Sequence, residues 1–145
     1  MKQQLHAATS AFDTAISLQQ LVSNLVSSSL TAAKHNNTHL VNEVEQGIAL
    51  GKAEMHKAVS VIRELLNTVM TNSRNGEIHI TAERYRDVVI LEIQERNNYN
   101  GYALAYSISA IEPAAASAGG HISIAGPQKR ITTITFSFPD SSQAA

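Results

Sequence analysis

The sequence predicts an α/β (α+β) two-layer sandwich: one mixed sheet with helices packed on one of its faces. Three observations carry this. From Ala53 to Ser73 the apolar residues Met55, Val59, Ile62, Leu66 and Val69 recur four, three, four and three apart, the stripe of an amphipathic helix. Directly after it, Ile78, Ile80 and Ala82, then Val89, Leu91 and Ile93, alternate with polar residues in two runs that read as strands over 77–83 and 88–95. A second alternating pair, 121–125 and 131–138, flanks Gly126-Pro127. Thr, Ser, Glu and His occupy the other face of these runs, so only one side of the sheet is apolar enough to be covered.

In chain order, residues 2 to about 31 read as one helix. Leu5, Ala8, Phe12, Ala15, Leu18, Val22 and Leu25 form its stripe, and Ile16, Leu21 and Val26 widen it. So broad an apolar face has to be covered, either by its own domain or by a second copy of itself. A homodimer to which this helix contributes is the expectation. Lys34 to Thr38 is a loop by composition, His39 to Val44 a short strand, Glu45-Gln46-Gly47 a turn, and Ile48 to Leu50 a second brief strand. Asn75-Gly76 supplies residues that tolerate positive φ between the central helix and the first hairpin, and Arg84 to Asp87 makes that hairpin's turn. A loop from Arg96 to Gly101 leads to an Ala-rich helix over Tyr102–Ala118 with Leu104, Ile108 and Ile111 inward. Pro113 kinks or divides it, and Gly119-Gly120 ends it. In the last hairpin Ile122, Ile124, Ile134, Phe136 and Phe138 face inward. The tail at 140–145 is expected to be frayed.

The bulk numbers exclude several classes. The 145 residues suffice for one domain with a real core, and 43% hydrophobic against 16% charged residues is a globular balance. No apolar run approaches the roughly 20 residues of a membrane span, and the start MKQQLHAATSAFD lacks a signal peptide's pattern, so a cytoplasmic location without membrane insertion is the expectation. Eleven basic and twelve acidic residues, with no basic cluster larger than Lys129-Arg130, leave no footprint for nucleic acid. With no cysteine there is no disulfide, thiolate metal site or cysteine nucleophile.

Six histidines raise a metal hypothesis, but none stands in H-E-x-x-H or a comparable pairing, so no metal is expected. His6 lies on a predicted helix, yet no acidic residue follows to activate its imidazole. No G-x-S-x-G elbow or G-x-x-x-x-G-K-[ST] loop is present, and no catalytic residue is assigned. One polar group stands out. Glu64, Asn67, Thr68 and Thr71 lie on the central helix away from its stripe, either as an ordinary solvated face or as one wall of a pocket closed by the loop after Glu95.

The order of these parts resembles the ATP-binding domain of sensor histidine kinases, the GHKL or Bergerat fold. The landmarks are ELLNTVMTNSRNGEIHI (64–80), VVILEIQE (88–95), AGGHISI (118–124) and ITTITFSFP (131–139). They look like the asparagine-box helix with its hairpin, the strand carrying the adenine-reading aspartate, the Gly-Gly before the last hairpin, and the final strand. The resemblance divides the chain into an N-terminal dimerisation or linker helix at 1–31 and a degenerate ATPase-like domain at 38–139. It also implies a nucleotide pocket at Glu64, Asn67, Thr68, Glu95 and Asn97. Glu64 is acceptable at the first asparagine-box position, whereas Thr68 falls where the family holds magnesium with asparagine. Asn67 is one residue, or about 100°, out of phase. Glu95 replaces the aspartate with a side chain one methylene longer, and Asn97 stands at a family glycine. Only a short loop separates Glu95 from the next helix, where the family has a long lid with a G-x-G-x-G phosphate segment.

The resemblance therefore implies a non-catalytic module of two-component signalling that works by dimerisation or partner docking, without a cofactor, as the two-domain phosphotransferases of this superfamily do. Two alternatives stand beside it: a functioning histidine kinase domain that binds ATP with magnesium in an unusual pocket, and a small-molecule sensor on the same fold.

Overall fold

A computed structural model describes residues 15–97, 101–126 and 130–140. The elements in order are β1 (Ala15–Ser17), α1 (Leu18–Ser28), α2 (Leu30–His35), β2 (His39–Asn42), β3 (Ala49–Gly51), α3 (Lys52–Asn72), β4 (Glu77–Tyr85), β5 (Val88–Arg96), α4 (Gly101–Ser109), α5 (Glu112–Ser117), β6 (His121–Ala125) and β7 (Thr132–Pro139). The five-stranded sheet runs β2-β4-β5-β7-β6; β2 is parallel to β4 and every other neighbour is antiparallel. This is the mixed sheet with helices that the alternating runs predict, and β1 pairs antiparallel with β3 in a separate two-stranded ribbon.

Strand alternation and helix periodicity converge on one core. Ile78 and Ile80 of β4, Val89, Leu91 and Ile93 of β5, Ile134, Phe136 and Phe138 of β7 and Ile122 of β6 are buried. They meet Ile62, Leu65, Leu66, Val69 and Met70 of α3 and Leu104, Ile108 and Ile111 of the following helices. At about 25 cal/mol per Å² of apolar area removed from water, this single cluster supplies the dominant favourable term of folding. The buried face of α3 lies slightly to one side of the expected stripe. Ala58, Val61 and Leu65 join it, while Val59 is only partly buried at its margin.

The turns show why the sheet closes as it does. Tyr85 pairs with Val88, so the first hairpin reverses through Arg86-Asp87 alone, with Arg86 at φ 59°. Between α3 and β4 it is Asn75, at φ 57°, that adopts the left-handed backbone. Gly76 has a different duty: a Cβ there would meet the Arg96 carbonyl oxygen at 2.6 Å and Glu95 Oε2 at 2.8 Å. Asn37, at φ 54°, donates through Nδ2 to Asn75 Oδ1 at 2.7 Å, and the Asn75 N–H donates to the Asn36 carbonyl at 3.0 Å. The two chain reversals that lead into β2 and β4 are thus stitched together. Pro113 starts α5 as a helix separate from α4.

The N-terminal part corrects an expectation. The helix foreseen over 2–31 begins at Leu18 among the described residues, because Ala15–Ser17 is a strand and residues 1–14, with Leu5, Ala8 and Phe12, lie outside the described residues. Ser17 caps α1 by accepting from the Gln20 N–H, and the Leu18 N–H donates to the Ile48 carbonyl. The same helix stops at Ser28, where the Ser28 and Ser29 hydroxyls both donate to the Leu25 carbonyl and compete with helical bonding. A second helix then runs on through His35, two residues into the stretch expected as loop. Leu18, Leu21, Val22 and Leu25 are buried within the chain itself, so this part of the stripe is covered without a second copy. The tail at 141–145 also lies outside the described residues. No helix among the described residues is long and apolar enough to cross a membrane.

Candidate functional site

Two features hold three of the five residues to which the sequence pointed: Asn67 and Thr68 in one, Glu95 in the other. The first is a pocket of about 260 Å³ between α3 and α4, lined by Asn67, Thr68, Thr71, Asn72 and Ser107. The first four come from one side of α3, where successive turns place residues three and four apart on a common face. Thr71 Oγ1 donates to the Asn67 carbonyl and Asn72 Nδ2 to the Thr68 carbonyl, each at 2.8 Å, so two lining side chains are partly occupied by their own helix. The polar face of α3 is therefore a pocket wall as well as a solvated surface, and Ser107 of α4 contributes the facing wall. Asn67 and Thr68 both reach this pocket, although they stand about 100° apart around the helix. Glu64 is exposed one turn away and does not line it.

The second feature surrounds Glu95. Its position on β5 continues the inward series Val89, Leu91, Ile93, so alternation carries a carboxyl group into the core. Its neighbours across the sheet are Ile78 and the buried Thr132. Only 1% of the residue is exposed. Ser73, at the end of α3, donates its hydroxyl to Glu95 Oε2 at 2.6 Å, and Thr38 Oγ1 donates to Ser73 Oγ at 3.4 Å. Oε1 is buried without a hydrogen-bond partner among the described residues. Desolvation disfavours the ionised form and pushes the carboxyl pKa up to about 7, while the Ser73 hydrogen bond pulls the other way. Gly76 makes room for this arrangement, since a side chain there would collide with Glu95 Oε2.

Five residues were implied as a nucleotide pocket, and the fold distributes them. Asn67 and Thr68 share the α3/α4 pocket; Glu95 is turned inward onto Ser73 and is not among that pocket's lining; Glu64 is exposed. Asn97 is exposed with φ 65°, the left-handed backbone that a glycine would adopt without strain, and residues 98–100 beyond it lie outside the described residues. Ser73, Thr38 and Ser107 escaped the sequence reading. A hydroxyl carries no periodic signal, and their roles depend on contacts across 22, 35 and more residues. Among the described residues no group of three or more His, Cys, Asp or Glu side chains is placed to hold a metal ion. On the outer face of the sheet, His79 bridges Glu43 and Glu77 at 3.0 Å each, and its hydrogen bond holds the Glu77 carboxyl below its ordinary value.

No protein-family model and no curated protein matches the sequence. Solved structures do match. A histidine kinase from Burkholderia phymatum STM815 superposes with a TM-score of 0.70 at 12% identity, over 92% of this chain and 75% of that one. The nucleotide-free catalytic domain of histidine kinase ThkA gives 0.69 at 14% identity, covering 91% of this chain and 98% of that one. Acinetobacter baumannii histidine kinase AdeS gives 0.68 at 11% identity, over 87% of this chain and 66% of that one. This chain spans only 43% of the ThkA chain solved in complex with the response regulator TrrA, with a TM-score of 0.62 at 16% identity. The polypeptide has the histidine kinase ATPase-type fold.

Proposed function

We propose that this chain is a non-catalytic signalling module that keeps the ATPase-type fold and acts through dimerisation or docking to a protein partner. The observation that carries the reading is the engagement of Glu95. The carboxyl group at the adenine-reading position is buried on Ser73 beneath Gly76, at 2.6 Å, and not in the pocket lined by Asn67 and Thr68. A nucleotide fits these residues poorly. Glu95 would have to break its bond to Ser73 to reach a base, and Thr68 offers a hydroxyl where the resemblance calls for a metal-holding carboxamide. Loss of one charge-assisted hydrogen bond costs about 1.5–3 kcal/mol, or roughly ten- to a hundredfold in affinity, and more than one is missing. Protein docking finds support in one relative of the same fold, ThkA, whose structure was solved with the response regulator TrrA.

A second reading rests on the α3/α4 pocket itself, whose 260 Å³ and polar lining suit part of a hydrated ligand. On that reading the chain binds ATP with magnesium, or senses another small molecule, through Asn67, Thr68 and their neighbours. Calorimetry with ATP and magnesium at millimolar concentration separates the two. No heat of saturable binding is expected; saturable binding abolished by Glu95→Ala would overturn the non-catalytic reading.

A further inference from the structure

Strand β2 is one edge of the five-stranded sheet, and among the described residues it pairs with β4 alone. The His39 N–H donates to the Gly76 carbonyl at 3.0 Å and the Glu43 N–H to the Ile80 carbonyl at 2.8 Å. Odd-numbered residues of the strand therefore direct their backbone groups at β4. In a parallel pairing, the N–H and C=O of Leu40 and Asn42 then point away from the sheet. The edge lacks the usual protections: it carries no proline and no lysine, and no bulge bends it away. Beside it runs a mostly apolar groove of about 410 Å³, lined by Leu30, Ala33, Lys34 and the first residues of β2. Leu30 is 49% exposed there. Helix α1 lies against the inner face of the strand, where Asn42 Nδ2 donates to the Gln19 carbonyl and Ser23 Oγ, so it covers a face and not the backbone edge.

We propose that the free edge of β2 is a self-complementary docking strand, which pairs antiparallel with β2 of a second copy about a two-fold axis at Val41. The inference specifies the dimerisation arm of the function proposed above and rests on that arm. An axis normal to the sheet keeps both helical layers on the same side and pairs residues of equal facing, so Val41 meets Val41 of the second copy. Leu40 then stands opposite Asn42 of the second copy, and these are the two residues whose backbone groups point outward. They exchange both hydrogen bonds, and the symmetry repeats the exchange on the other side of the axis. On the outer face the same register sets His39 opposite Glu43 of the second copy. The imidazole donates to a carboxylate that already holds His79 at 3.0 Å through one oxygen, leaving the other to accept. This match of donor and carboxylate selects a second copy as the occupant. The opposite edge, β6, offers none: centred on Ser123, the same symmetry sets His121 against Ala125.

The test is sedimentation velocity of the full chain from micromolar to near-millimolar concentration, with circular dichroism to confirm folding. The wild type should move from 15.6 kDa toward twice that mass. Val41→Lys sets two ammonium groups against each other across the axis, at the roughly 5 Å separation of facing Cβ atoms, and should weaken the dimer by tenfold or more. His39→Glu should weaken it as well by facing Glu43, and the double variant His39→Glu/Glu43→Lys should restore it. A dimer indifferent to all three variants overturns the β2 edge while leaving dimerisation itself in place. A chain monomeric at every concentration overturns both and leaves the edge to an extended segment of another protein.

Discussion

Ser73 Oγ lies 2.6 Å from Glu95 Oε2, joining the end of α3 to the inner face of β5 at a point where neither side chain meets solvent. A carboxyl group in that setting can be neutral at modest cost or ionised at a larger one.

The first consequence is a stability that falls with rising pH. Unfolded, the carboxyl titrates at its ordinary 4.5; folded, at about 7. The native state therefore binds the extra proton between these values. The contribution is fully present below pH 4.5 and is lost as pH rises through about 7. The span corresponds to about 3 kcal/mol at most. Urea denaturation at pH 5 and pH 8 should show the lower midpoint at pH 8, and Glu95→Gln should flatten that difference.

Ser73→Ala removes the hydrogen bond that favours the carboxylate. Its cost should be about 1–3 kcal/mol, the range for a buried group left without its partner, and larger at pH 8 than at pH 5. An equal cost at both pH values would show that Ser73 does not bond the ionised form.

Gly76→Ala introduces a methyl group 2.6 Å from the Arg96 carbonyl and 2.8 Å from Glu95 Oε2. The backbone contact cannot yield by rotating a side chain, so the loss should be about 1–3 kcal/mol or more. Thermal unfolding compared with Asn75→Ala, which strains φ, removes the acceptor for Asn37 and adds no atom between the strands, would separate overpacking from the turn's own contributions.

Arg84 projects inward from β4, donates to the Ala49 and Asp140 carbonyls, and pairs with Asp140 Oδ2 at 3.2 Å. Its guanidinium ties the β1/β3 ribbon and the end of β7 to the sheet. Arg84→Met keeps the bulk but removes the guanidinium that pairs with the Asp140 carboxyl, which is 2% exposed, and should cost about 3–5 kcal/mol. Proteolysis at Ala15–Ser17, the β1 strand of that ribbon, is expected to quicken in parallel. A variant as stable as the wild type would mean that Asp140 is held by its other contacts alone.

The legible features were those written in local periods. Ile62, Leu66 and Val69 repeat with the helical turn, and Ile93, Leu91 and Val89 with the pleat, so the side each residue buries follows from the backbone repeat before any tertiary contact forms. That repeat also predicted the four strands of the two hairpins and the order of parts by which the fold resembles the histidine kinase ATPase domains, and proline's missing N–H predicted the break at Pro113. The same alternation carries Glu95, in phase with Ile93, inward, although Glu was expected on the outer face of these runs.

Contacts between distant segments decided the rest. Three residues of β1 are too few for a period, and they become a strand only because β3 runs antiparallel beside them and pairs with them. The helix foreseen over 2–31 breaks at Ser29, where hydroxyls compete for a carbonyl, a choice settled by energies of about 1 kcal/mol that apolar spacing does not register. Whether Glu95 would reach into the α3/α4 pocket or fold back depended on Ser73 arriving at 2.6 Å and on Gly76 leaving the space. The sequence by itself determined that a carboxyl group would enter the core; only the tertiary structure decided its partner. Direction is set by the local backbone repeat, and partnership by which distant hydroxyl the packed fold brings within hydrogen-bond reach.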